Sequence, residues 1–401
     1  MRGQTMKKMV LAAVSAAVLA LAAPGALRAA DDTVKIGLEI PLSPPGDPAA
    51  GQLIRRGGEL AIEYINTVMG GINGHKAELV VQDSQGRTES GVAGYRKLAT
   101  EDKVIGVTGF FHSSVNIAVN EVANELGVPT IGTQTSAAEI TSKHYETAFR
   151  THAIDPIRVE TFLEFIKKMG YKRISLVAET TDYGIGIVEE MDKQAEATKA
   201  GLELQKITFD HATTDLTPQL LQVKAFKPDL VINIGVGAPM DLMIDQAATI
   251  GLLPATPMLI SYDAPVRPQF WKLHPKDGAG LYFIAYYSPK QKLSDIGEWF
   301  AKAYQAKYNE PPIYSSMNGF GDVMILAEAA RQAKSTDPKA IVKALETGTF
   351  KTWADAVVTF PRADGPYWHN WAPPMLIIHY TKPDEDWRDA EVVLEHVGSK
   401  H

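Results

Sequence analysis

Twice along this chain a short, nearly continuously apolar segment is followed by a longer amphipathic one, and the pair repeats. VKIGLEIP (residues 34–41), AELVVQD (77–83) and VIGVTG (104–109) read as strands, with helical spacing over 52–67 and 89–100. A third helix over 114–126 and a short strand PTIG (129–132) follow. Strands apolar on both faces need cover on both faces, so the alternation predicts a parallel sheet with helices on each side. Past residue 150 the pattern restarts. Helices are expected over 157–169, 183–200 and 240–250. RISLVAE (173–179), LELQKITF (202–209), DLVINIG (229–235), PMLISY (257–262) and GLYFIAYY (280–287) are the matching strands. Helices return over 296–308, 317–333 and 339–346, and residues 356–360 and 375–380 are expected to pair as strands around a Pro- and Trp-rich turn. The fold class is α/β: two doubly wound, Rossmann-like lobes facing a cleft.

Ligands of open α/β sheets bind outside the carboxyl ends of the strands. Function is therefore sought in segments 42–50, 84–88, 110–114, 133–137, 180–183, 236–239 and 261–266, which are polar, small or aromatic.

The N-terminus bounds the setting. Arg2, Lys7 and Lys8 precede 15 small or apolar residues (9–23) and an Ala-rich stretch to Ala30. That is the layout of a secretory signal peptide over residues 1–30, and the apolar run is short of the roughly 20 residues that span a bilayer. Removing its four basic residues takes the net charge from −7 to −11, which argues against nucleic acid as a partner. The chain has no cysteine, so disulfides, thiol nucleophiles and a lipidated N-terminal Cys are excluded. A secreted chain without a lipid anchor is expected in a periplasm. The roughly 370 remaining residues exceed what one core usually holds.

Enzyme signatures are missing. No G-x-S-x-G, phosphate loop or H-E-x-x-H occurs. GIG (184–186) and GVG (235–237) lack a third glycine and read as tight strand-to-helix turns. The ten histidines show no metal-ligand spacing. No catalysis, cofactor or metal is expected.

Recognition of a charged small molecule fits the strand ends better. His112-Ser113-Ser114 closes a strand and opens a helix, where hydroxyls and free N–H groups suit a carboxylate; the alternative is that one serine only caps the helix. Gln134-Thr135-Ser136 ends the next strand and offers further donors, or is an ordinary polar loop. From the other half, Tyr183 could stack on or hydrogen-bond a ligand. Asp263 could accept from an ammonium or hydroxyl, or be an acid in an exposed turn.

These residues carry a family likeness. VKIGLEIPLS, the run RRGGELAIEYINTVMGGINGHKAELVVQDSQGRTESGVAGYRKLATED, SSVN, RTHAIDPIRVETFLEFI, AETTDYGIGIVEEM and KPDLVINIG occur in order over nearly the whole chain after the leader. In that order and spacing the chain resembles the type I periplasmic binding proteins of branched-chain amino acid ABC transporters. The resemblance implies a three-strand hinge with crossovers near residues 150–155, 285–289 and 352–360, and closure on ligand. The lobes would be 31–151 plus 287–353 and 152–286 plus 354–401. It implies that Ser113 and Thr135 or Ser136 hold an α-carboxylate, with an aromatic at Tyr183 and an acid for the ammonium at Asp263. It also implies a small-molecule ligand, permease subunits as partners and a monomer. Departures qualify the cargo. A small residue stands near Ala50, Val236 and Gly237 replace the tyrosines of leucine-type proteins, and Asp263 is shorter than the usual Glu. Relatives of this class also take amides, urea and aromatic or dicarboxylic acids. A periplasmic sensory module sharing the cleft is the alternative function, and a secreted hydrolase the third.

Overall fold

The computed structural model describes residues 33–288 and 290–396; the expected leader lies outside the described residues. The first series is β1 (Val34–Ile40), α1 (Pro48–Thr67), β2 (Ala77–Asp83), α2 (Thr88–Thr100), β3 (Val107–Phe110), α3 (Ser113–Leu126), β4 (Thr130–Gly132), α4 (Glu139–Ser142) and β5 (Ala148–Arg150). Its strands form one sheet in the order β2-β1-β3-β4-β5, parallel throughout. β3 and β4 are wholly buried, as strands covered on both faces must be.

The second series is α5 (Asp155–Met169), β6 (Arg173–Glu179), α6 (Asp182–Ala197), β7 (Glu203–Phe209), α7 (Thr217–Phe226), β8 (Leu230–Ile234), α8 (Ala238–Thr249), β9 (Met258–Ile260), α9 (Phe270–Leu273) and β10 (Tyr282–Ala285). The chain continues with α10 (Asp295–Tyr308), α11 (Tyr314–Ala333), α12 (Pro338–Thr347), β11 (Phe350–Lys351), β12 (Val357–Val358), β13 (Met375–His379) and β14 (Glu391–His396). The second sheet runs β14-β13-β10-β9-β8-β6-β7, parallel from β7 to β10 and antiparallel at β13 and β14.

α11 returns to the first sheet and packs on α1. Glycines make the crossing close: a Cβ on Gly57 would lie 2.0 Å from the Ser316 carbonyl, and one on Gly319 would lie 2.4 Å from that of Ile54. Buried Asp322 on α11 accepts from Thr133 (2.7 Å), Thr151 (2.6 Å) and Thr108 (3.1 Å). Burial pushes its pKa up to about 7, against the pull of those hydroxyls. One helix thus fixes the carboxyl ends of β3, β4 and β5, where ligands of such sheets bind.

The first two passages between the lobes run side by side. The His152 ring lies 4.5 Å from Tyr286 and bonds the Tyr314 hydroxyl at 3.0 Å. The tail differs from expectation. Residues 356–360 and 375–380 do not pair with each other: β12 pairs with β11, and β13 sits between β10 and β14. MLIIH is apolar on both faces and is buried within a sheet, whereas two-residue β12 has length for little more than a clasp. Residues 360–370 stay beside the first sheet. His369 stacks on Phe149 at 4.4 Å, and its carbonyl accepts from Arg150 N at 3.0 Å. The third passage follows, at residues 371–374. Among the described residues no helix is long and apolar enough to cross a membrane.

Candidate functional site

The carboxyl ends of both sheets meet in a cleft. It encloses a cavity of about 40 Å³ lined by Gly86, Phe111, His112, Ser113, Ser114 and Gln134 from the first lobe and by Glu179, Thr181, Tyr183, His211, Val236 and Tyr262 from the second.

β3 ends at Phe110, and His112 becomes the N-cap of α3 in extended backbone without a side-chain cap. Neither serine is the cap. Ser113 Oγ accepts from Ala137 N at 3.3 Å, and Ser114 Oγ reaches across the cleft to accept from Asp182 N at 3.3 Å. Both His112 ring nitrogens are shielded from solvent and have no hydrogen-bond partner. Burial pushes its pKa down to about 4, so the ring is neutral. Gln134 is 2% exposed, and neither amide atom of its side chain has a partner. Its carbonyl accepts from Tyr262 Oη at 3.1 Å, another contact between lobes.

On the second lobe, β6 ends at Glu179 and α6 opens at Asp182, with Thr181 Oγ1 capping Gly184 N. Only glycine fits at position 184 in the first turn of α6, since a Cβ there would meet the Glu179 carbonyl at 2.0 Å. GIG (184–186) thus lies in the first turns of α6 rather than in the strand-to-helix turn itself, and Gly184 lets the helix start close over the strand end. The N-termini of α3 and α6 face each other and present their positive ends to the cavity. Glu179 Oε1 accepts from Thr181 Oγ1 (2.7 Å), and Oε2 accepts from His211 Nδ1 (3.0 Å) and Val236 N (3.2 Å). His211 Nε2 donates across the cleft to the Pro45 carbonyl at 2.9 Å. Burial would lower the His211 pKa, but Glu179 and that carbonyl outweigh it and raise it. Tyr183 turns its hydroxyl away from the first lobe, to Ser261 Oγ (2.7 Å) and Arg158 (3.2 Å).

Of the sequence-derived candidates, His112, Ser113, Ser114, Gln134 and Tyr183 line the cavity together. Three others lie outside its lining. Thr135 is buried and donates to Asn116 Oδ1 at 3.0 Å, and the Ser136 carbonyl accepts from Asp155 N at 2.9 Å. Asp263 is fully buried rather than in an exposed turn, and burial raises its pKa to about 6 against the pull of Arg267. Arg267 Nη1 bonds Asp47 Oδ2 at 2.7 Å, a buried ion pair between lobes. Gly86, Phe111, Thr181 and Tyr262 fall in strand-end segments marked out by the sequence, though not as individual residues, and Val236 was marked there as a departure from the leucine-type pattern. Glu179, the last residue of its strand, and His211, two residues past another, fall in none.

Two doubly wound lobes with their strand ends closed on a small interlobe cavity define a type I periplasmic binding protein. The family model for periplasmic binding proteins matches residues 33–373, and the chain belongs to that family. Several of its relatives carry the names of branched-chain amino acid binding proteins. It is 28% identical over 321 residues to a Leu/Ile/Val-binding protein homolog of Brucella abortus, covering 80% of this chain and 84% of that one. Identity to the leucine-, isoleucine-, valine-, threonine- and alanine-binding protein of Pseudomonas aeruginosa is 26% over 347 residues, covering 84% and 88%. The fold is similar to that of a leucine-binding protein, LivK, from Thermotoga maritima (TM-score 0.78, 21% identity, 91% and 99% covered). It is also similar to a Rhodopseudomonas palustris solute-binding protein solved with benzoate (TM-score 0.74, 21% identity, 92% and 97% covered). Members of this family bind solutes and are not enzymes.

Proposed function

We propose that this chain is the periplasmic receptor of an ABC importer and captures a small carboxylate-bearing solute between its lobes. One observation carries the reading. Two buried side chains, His112 and Gln134, turn unpartnered polar atoms toward a cavity set between two helix N-termini. Unpaired buried polar groups cost about 1–3 kcal/mol each, and a bound carboxylate would accept from the His112 N–H and the Gln134 amide N–H where positive helix ends favour negative charge. Residues 1–30 act as the secretory leader, the protein works as a monomer, and permease subunits read its closed form. The lobes are taken as 33–151 with 287–370, and 152–286 with 371–396, which moves the tail boundary past the His369–Phe149 stack.

A thermal-shift screen of organic acids, amino acids and amides tests this. A specific ligand at a hundredfold excess over Kd stabilises by about 2.7 kcal/mol. Carboxylates should raise the melting point, while amides of the same skeleton should not. A flat response to every carboxylate would sink the reading.

A further inference from the structure

We infer that the cleft selects a carboxylic acid that carries no ammonium group, because the acid in the cavity lining, Glu179, is already paired with His211 of the protein. This rests on reading the cleft as a carboxylate receptor. An α-ammonium brings three donors and a full charge, and sealed from water it needs a carboxylate of its own.

Asp263 was the candidate for that role, and Arg267 lies four residues on, itself 6% exposed. Its guanidinium holds Asp47 of the opposite lobe at 2.7 Å and is the foremost cation acting on the Asp263 carboxyl. Asp263 itself is fully buried and lies outside the cavity lining.

Glu179 is the other acid at the cavity wall. Its Oε2 meets His211 Nδ1 at 3.0 Å, while His211 Nε2 meets the Pro45 carbonyl at 2.9 Å. A carbonyl oxygen only accepts, and so does an ionised carboxylate. Both ring nitrogens must therefore carry protons, so His211 stands as an imidazolium and is the counter-ion of Glu179. Asp155, at the start of α5, is buried and lies outside the cavity lining. An ammonium entering here finds the acid of the cavity lining, Glu179, already paired. It also meets two positive helix ends and an imidazolium, all of which suit an anion.

Calorimetric titration of the purified protein with matched pairs tests the inference: 4-methylpentanoate against leucine, 3-phenylpropanoate against phenylalanine, butanoate against 2-aminobutanoate. At least one acid should bind roughly tenfold or more tighter than its amino partner. Arg267→Met, which strips the cation from Asp263 and Asp47, should narrow that ratio, and Arg267→Lys should keep it. If Arg267→Met does not fold, Glu179→Gln decides, because removing an acid already paired to His211 should leave the acid-over-amine ratio standing. Amino acids binding as tightly as their partners overturn the inference and leave the receptor reading intact. So does a ratio unmoved by Arg267→Met, or amine binding lost selectively in Glu179→Gln. If no member of any pair binds, the receptor reading falls and the inference with it.

Discussion

The two lobes bring different chemistry to the cavity they share. The first offers neutral groups with nothing to bond: the His112 ring and the Gln134 amide, beside the N-terminus of α3. The second offers charges already held: Glu179 with His211, and Arg267 reaching over to Asp47. Neutral, unsatisfied groups gain from a ligand. Paired charges gain from being buried together, so they act on closure instead. The comparison assigns recognition to one lobe and latching to the other, and each half can be broken separately.

The largest effect should come from the latch. Arg267→Ala leaves Asp47 uncompensated at a site where the two side chains are 5% and 3% exposed. Breaking a buried pair from one side costs about 3–5 kcal/mol. That loss should appear as a lower denaturant midpoint. A loss below about 1 kcal/mol would mean that the lobes part in solution and the pair is solvated.

Recognition breaks differently. Gln134→Ala removes a side chain with no protein partner, so the ligand-free melting point should stay within about 1 °C of the parent. Affinity for the ligand should fall by about 1–3 kcal/mol, roughly tenfold to a hundredfold by titration. A large stability loss with unchanged affinity would reverse the assignment of roles.

What the sequence revealed follows the same division. The doubly wound pattern was plain because parallel strands covered on both faces leave unbroken apolar runs, and strand ends then located the cavity by topology alone. His112, the serine pair, Gln134 and Tyr183 lie directly after such runs. Glu179 was hidden because it is the last residue of a strand, where an acid reads as an edge residue. His211 follows β7, whose partly exposed face makes its end look like ordinary surface. Asp263 and Arg267 were separable only in three dimensions, since no local spacing shows that a guanidinium four residues on reaches an acid 220 positions away. The tail misled for a similar reason: two short apolar segments look like a hairpin until the partners of each are known.

Facing imidazoles give a subtler test. His112 and His211 lie 6.0 Å apart, one on each lobe, and titrate in opposite senses. His211 has a raised pKa, so its stabilisation is complete below the ordinary value near 6.5 and is lost as pH rises through the folded value. The His112 pKa is lowered to about 4, so its neutral form stabilises above pH 6.5 and that contribution is lost as pH falls from 6.5 toward 4. Glu179→Gln should remove the alkaline-side loss while the acid-side one persists at a lower pH, because Glu179 also raises the His112 pKa against burial. Melting curves from pH 4 to 9 read both. An unchanged alkaline limb would show that Glu179 does not hold the proton on His211.

The smallest effect tests whether any recognition-side group also latches. Ser114 lines the cavity, yet its Oγ accepts from Asp182 N on the other lobe at 3.3 Å. That bond is long, and a neutral hydrogen bond of ordinary length contributes only about 0.5–1.5 kcal/mol. Ser114→Ala also leaves an N–H at the exposed start of α6, where water can replace the oxygen. Stability should therefore drop by no more than about 0.5 kcal/mol. Ligand affinity should fall by a similar amount, because an alanine there still presents the backbone N–H groups of α3. If affinity instead collapses as far as in Gln134→Ala, the Ser114 hydroxyl turns to the ligand when one is bound. The contact to Asp182 then belongs to the ligand-free cleft alone.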